Sequence, residues 1–190
     1  MFTPRCAALI LSLSLGLTAA QAATVATVTV PDMVTVQQQS LKLNGAGLRK
    51  KIVFDVYVAA LYTASPSQDA DALIQAPGPH QVRMVLKRDL DAQTLIDALK
   101  DGIHSNLTDP EKQELAAVIT QFEDLMRQVG QAKEGDIVIL NMNAPQVTIL
   151  FNDKVLGQLS HPDLSPALLK IWLGKKPAQE SLKKALLGLS

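Results

Sequence analysis

The stretch LNGAGLRKKIVFDVYVAALYTAS, residues 43–65, decides how the whole chain is read. Ile52, Phe54, Val56, Val58, Ala60 and Tyr62 share one parity; Val53, Asp55, Tyr57, Ala59 and Leu61 share the other. Alternate residues of a strand face opposite ways. Both sets are mostly apolar, which predicts a central strand covered on both sides, with Asp55 near its edge. Just before it come Gly45 and Gly47, then Arg49, Lys50 and Lys51. The glycines predict a turn. They also strip side chains from around Arg49, so that backbone and a ligand can approach its guanidinium closely. Lys50 and Lys51 favour a plainer reading, a basic turn in solvent.

Toward the N-terminus, Val34, Val36, Leu41 and Leu43 alternate and predict short strands ending at the glycines. Residues 23–31 carry no turn signal and predict a frayed lead-in. Toward the C-terminus, residues 65–79 predict one short helical segment, capped by Ser67 and stopped by Pro77-Gly78-Pro79. QVRMVLKRDL is a strand with Val82, Met84 and Leu86 inward and Arg83 and Lys87 outward. Asp91 then caps a helix with the stripe Leu95, Ile96, Leu99 and Ile103. A longer helix opens at Thr108-Asp109-Pro110-Glu111, which has capping-box spacing and a first-turn proline. It ends at Gly130. A three-strand meander follows, turning at Asn152-Asp153. Two helices, Leu164 to Gly174 and Glu180 to Leu187, close the chain, with Pro177 between them. Strands, helices, strands, helices predict an α+β fold with a helical layer against a large, mainly antiparallel sheet.

The first residues carry a separate message. Arg5 precedes an apolar run from Ala7 to Leu17, and Ala20-Gln21-Ala22 has the small-x-small pattern of a cleavage site. Residues 1–22 therefore read as a secretory signal peptide, and 23–190 as a single domain destined for the periplasm or beyond. The run is shorter than the roughly 20 residues a membrane-spanning helix needs, and no second stretch supplies one. The only cysteine, Cys6, lies in this segment, so the remaining chain has no disulfide and is held by its core alone. The whole chain has 18 basic and 18 acidic residues. That balance argues against a nucleic-acid partner and against electrostatic attachment to anionic lipid.

Few residues suggest chemistry. His80, His104 and His161 are isolated in sequence, which predicts no metal site. There is no nucleophile elbow, and Gly45-Ala46-Gly47 leads into a strand rather than a phosphate-binding helix. Nothing predicts a cofactor. Asp69 and Asp71 read as a solvated face, and Trp172 as a core or helix-packing tryptophan. Arg49 and the tyrosines remain. A guanidinium at the mouth of an apolar cleft holds a carboxylate or an enolate oxygen by two hydrogen bonds. Tyr57, of opposite parity to Phe54 and Tyr62, can offer its hydroxyl to the same oxygen.

NGAGLRKKIVFDVYVAALY resembles the opening motif of the chalcone isomerase family, in which Gly-Ala-Gly-x-Arg leads into an apolar strand ending in tyrosine. VRMVLKRDLDAQTLIDAL resembles the family's next strand and first helix. GDIVILNM, VTILFNDKVLGQL and LSPALLKIWLG resemble its late strands and helix, so the likeness runs from about 33 to 188. YVAALY and WLG are similar to the secreted bacterial branch. The resemblance implies an open-faced sandwich with a cleft between sheet and helices. In the plant enzymes that cleft closes a flavanone ring, and an arginine stabilises the developing enolate. A strand threonine, a tyrosine, an asparagine and a late threonine assist it.

Carried onto this chain, the family arginine is Arg49. The strand threonine falls at Tyr57, the tyrosine at about Leu95, the asparagine at about Gly102 and the late threonine at about Ile171. Apolar groups there cannot do general acid–base work. The expectation is a cleft for a small amphipathic carboxylate such as a fatty acid, with ligand-binding residues Arg49, Tyr57 and Tyr62, Tyr62 mainly structural. If the protein were catalytic, Arg49 would carry the activity of an intramolecular lyase of chalcone isomerase type acting on an enone. A third expectation is an interaction module whose cleft is filled by its own side chains.

Overall fold

Strand β5 (Phe54–Thr63) is the spine around which the rest is laid. The computed structural model describes residues 22–189. The signal-like segment, residues 1–22 in the reading above, lies outside these apart from Ala22. A seven-stranded sheet has the order β11-β10-β9-β6-β5-β4-β3. Its members are β3 (Met33–Val36), β4 (Gln39–Lys51), β6 (His80–Leu86), β9 (Ile137–Asn143), β10 (Gln146–Phe151) and β11 (Lys154–Ser160), with β5 between β4 and β6. Every neighbouring pair is antiparallel.

The two parities of β5 enter two different cores. Ala59 and Leu61 face the main core, with Val82 and Leu86 of β6 and Val138 and Leu140 of β9. Five helices supply its other side: α1 (Ala70–Gln75), α2 (Ala92–Asn106), α3 (Asp109–Arg127), α4 (Leu164–Leu173) and α5 (Glu180–Leu186). Val58, Ala60 and Tyr62 face the opposite way and pack with Val30, Val36 and Leu41. This second cluster is covered by a hairpin of β1 (Ala22–Val25) and β2 (Val28–Pro31). The predicted frayed lead-in is therefore a paired element. Its turn, Ala26-Thr27, has two positive φ angles on residues that do not advertise a turn.

Gly45 and Gly47 are not in a turn. They lie inside β4, opposite Leu61 and Ala59 of β5. Their purpose is contact with α5. A Cβ on Gly45 would overlap the Ala185 carbonyl oxygen, and one on Gly47 would meet the Ala185 side chain. The bare backbone lets the last helix lie directly on the sheet, rather than opening a path for a ligand. The short helix α1 (Ala70–Gln75) is capped by Asp69, whose carboxylate accepts from the Asp71 and Ala72 amides, and not by Ser67. Two residues each form β7 (Leu90–Asp91) and β8 (Gln131–Ala132), which pair with each other beside α2.

The helical signals at 91 and 108 are found as read. Asp91 caps α2 by accepting from the Thr94 amide at 2.6 Å. At α3, Glu111 accepts from the Thr108 amide at 2.7 Å, and its other oxygen accepts from Lys170 Nζ of α4 at 2.8 Å. One carboxylate thus closes a capping box and ties α3 to the helix that carries Ile171 and Trp172.

Two outcomes test this arrangement. Gly45→Ala places a methyl against helix backbone that cannot rotate away. It should cost about 1–3 kcal/mol in urea unfolding. The bonds to Lys170 and Thr108 hold the Glu111 carboxyl down to about 2, below its ordinary value of 4.5. A depressed folded pKa gives stability that is present above about 4.5 and lost as pH falls toward 2. Thermal melts across that window should show a shallower acid loss for Glu111→Gln than for the native protein.

Candidate functional site

Arg49 and Tyr57 are cross-strand partners in the β4–β5 ladder, so one register brings both to the helical side of the sheet. There they line a cavity of about 510 Å³. The sheet side is Met84, Leu86, Val138 and Leu140; α2 contributes Leu95 and Leu99, α3 Phe122 and Met126. The volume lies within the roughly 300–1,000 Å³ of small-molecule sites. It is open space, so the expectation of a cleft filled by its own side chains does not describe it.

The polar end is built from long-range contacts. The Trp172 indole N–H donates to the Tyr57 hydroxyl at 3.0 Å. With its oxygen accepting there, the Tyr57 O–H remains the donor it can offer to a bound group. Burial pushes the Tyr57 pKa above its usual 10.0, while the Trp172 bond and the Arg49 charge pull the other way. The group is therefore a neutral phenol at physiological pH. The Arg49 guanidinium donates to the Lys50 carbonyl and, at 3.2 Å, to Gln179 Oε1. Gln179 also accepts from the Lys50 amide at 2.8 Å. The segment before α5 thus orients the cation. Lys51 and Lys176 join Arg49 in the lining, and so do Asp97 and Asp101, which leaves the rim mixed in sign.

The four positions carried over from the resemblance meet here. Tyr57, Leu95, Gly102 and Ile171 all line the same cavity as Arg49. Gly102 and Ile171 also touch: a Cβ on Gly102 would come 2.7 Å from Ile171 Cγ2. The small residue on α2 makes room for the branched one on α4, and neither offers a polar atom from its side chain. Tyr62 is not brought to this site. Its parity points it into the second cluster, where it is fully buried and its hydroxyl has no partner among the described residues. Desolvation pushes its pKa up to about 12.

Trp172 and Gln179 were not legible as site residues. A buried indole N–H seeks a partner, but nothing local to LLKIWLG names a tyrosine 115 positions away. His161 is also less isolated than its sequence suggests: with Glu114 and Asp163 it places three ligating atoms within 4.8 Å of one another. Bonds of about 2.0–2.3 Å to a shared ion would draw such atoms closer. None of the three lines the cavity.

Comparison with known proteins agrees with this architecture. A family model described as chalcone isomerase-like matches residues 22–188. A search of curated proteins finds no match. Among solved structures, the chain is similar to a fatty-acid binding protein of Arabidopsis thaliana, with 15% identity and a TM-score of 0.74. That likeness covers 88% of this chain and 96% of the other, and at such identity it speaks for the fold alone. With its sheet, its helical layer and a family match running almost from end to end of the described residues, the chain belongs to the chalcone isomerase-like family.

Proposed function

We propose that the protein binds a small amphipathic carboxylate, such as a fatty acid, without transforming it. The observation that carries this reading is one apolar cavity whose polar end is the cross-strand pair Arg49 and Tyr57. The carboxylate head accepts from the Arg49 guanidinium and from the Tyr57 hydroxyl, both charge-assisted bonds. The acyl tail lies between the sheet and α2–α3, along Met84, Leu86, Leu95 and Phe122. That a protein of the same fold is a fatty-acid binding protein supports the ligand class by analogy.

The apolar residues at the positions of the family's assisting groups support binding without turnover. Catalysis on an enone needs groups that move a proton in step with bond formation. Leu95, Gly102 and Ile171 supply none, a buried phenol with a raised pKa is a poor base, and the two carboxylates of the lining, Asp97 and Asp101, are exposed to solvent. The sequence of residues 1–22 supports secretion, so the ligand would be met in the cell envelope.

Native mass spectrometry of the processed protein from an envelope fraction checks the reading directly. An acyl-sized adduct is expected on the native protein and should be missing from Arg49→Ala. Added oleate should bind Arg49→Ala about ten- to a hundredfold more weakly, the worth of one charge-assisted hydrogen bond. No adduct, and no binding of fatty acids, would refute the proposal. Tyr62→Phe is the companion test. Removing an unpaired buried hydroxyl should leave the melting temperature unchanged or higher and oleate affinity unaltered; a weakened affinity would return Tyr62 to the site.

A further inference from the structure

The turn between β4 and β5 is built against the usual rules of folding. Its two loop residues are Ile52 and Val53, flanked by the paired Lys51 and Phe54. Ile52 has φ +60° and Val53 is not among the positive-φ residues. That pattern belongs to a two-residue hairpin turn whose first position favours glycine. A β-branched residue there is strained. Nothing in packing compensates: Ile52 is 89% exposed, Val53 77% and Phe54 56%. Only three other large hydrophobic residues among those described are so exposed, and they lie elsewhere: Met33, Val155 and Leu189. Three adjacent apolar side chains held in water at a strained turn do nothing for the stability of this fold.

Their surroundings suggest what they are for. Arg88 lies over the Phe54 ring, 4.8 Å from its centroid, and has no ion pair among the described residues. Lys51 likewise has none. The nearby carboxylates are engaged: Asp55 with Lys50 at 3.4 Å and Glu134 with Lys87 at 3.7 Å. An apolar tip flanked by the unpaired cations Lys51 and Arg88 matches the boundary of an anionic bilayer, where apolar groups enter the acyl region and basic side chains stay at the phosphates. The near-zero charge of the whole chain gives no long-range attraction, so the contact depends on this tip. The strands that leave it run straight into the cavity, since Arg49, Lys51, Val56 and Tyr57 all line it.

We infer that the Ile52-Val53-Phe54 tip docks the protein onto a bilayer containing anionic phospholipid, with the cavity held beside the membrane surface. Docking does not depend on what the cavity holds; that it serves exchange of an acyl ligand rests on the function proposed above.

The test is flotation of the processed protein with vesicles of phosphatidylglycerol and phosphatidylcholine, and with phosphatidylcholine alone. The native protein should partition onto the mixed vesicles, more weakly onto the neutral ones and more weakly in high salt. The double variant Ile52→Gly, Val53→Ser should lose at least tenfold in partitioning. It should also melt no lower than the native protein, because glycine relieves the positive φ. Arg88→Gln should weaken binding to the mixed vesicles only. Equal flotation of native and double variant, or no flotation of either, would overturn the inference and leave the tip to a protein partner. Oleate binding in vesicle-free buffer separates the two proposals. Intact oleate binding without flotation removes docking and keeps the ligand; flotation lost with the tip, but no oleate binding, keeps docking and removes the ligand.

Discussion

Helix α5 lies on the bare backbone of β4 at Gly45 and Gly47, and the cavity depends on that contact. A helix held away from the sheet by one methyl could not bring Gln179 to the Arg49 guanidinium or Pro177 and Ala178 to the cavity wall. The same approach buries Leu182 and Leu186 against the main core. The two glycines cost strand entropy. The return is a closed end to an otherwise open layer, with a cation fixed at that end.

What the site can do follows from which polar groups are present and how they are oriented. Trp172 occupies the Tyr57 oxygen, so the phenol faces the cavity as a donor. Arg49 is steadied by Gln179 rather than by a carboxylate, so its charge is not neutralised by an ion pair among the described residues. Beyond this end the lining is mainly apolar, and Gly102 and Ile171 fit each other in size rather than meeting a substrate with polar atoms. These are the features on which the proposed binding of an anion with an apolar body rests.

The opposite face of the sheet follows a different logic. The β1–β2 hairpin closes a small second core around Tyr62 and leaves that hydroxyl unpaired. At the β4–β5 turn, by contrast, apolar side chains are left uncovered and the backbone is strained. The two ends of β5 thus differ: the Tyr62 end is fully buried and the Phe54 end is exposed.

Sequence alone determined the elements whose signals are local. The dense apolar run at 52–62, whose first two residues turn out to form the loop before β5, the Thr108–Glu111 capping box, the Asp91 cap and the Asn152-Asp153 turn each act through neighbours in the chain, so their residue types disclose them. The parity of β5 also separated Tyr57 from Tyr62. Tertiary structure decided the rest. The turns at Ala26-Thr27 and Ile52-Val53 use residues with no turn preference, and pairing of the flanking strands forces their φ angles. Gly45 and Gly47 look like a turn until α5, some 140 residues later, is seen resting on them. Trp172 and Gln179 join the site through hydrogen bonds spanning 115 and 130 positions. A polar contact that depends on where two distant elements meet leaves no period or spacing in the chain. Only the packed fold, which sets those distances, reveals it.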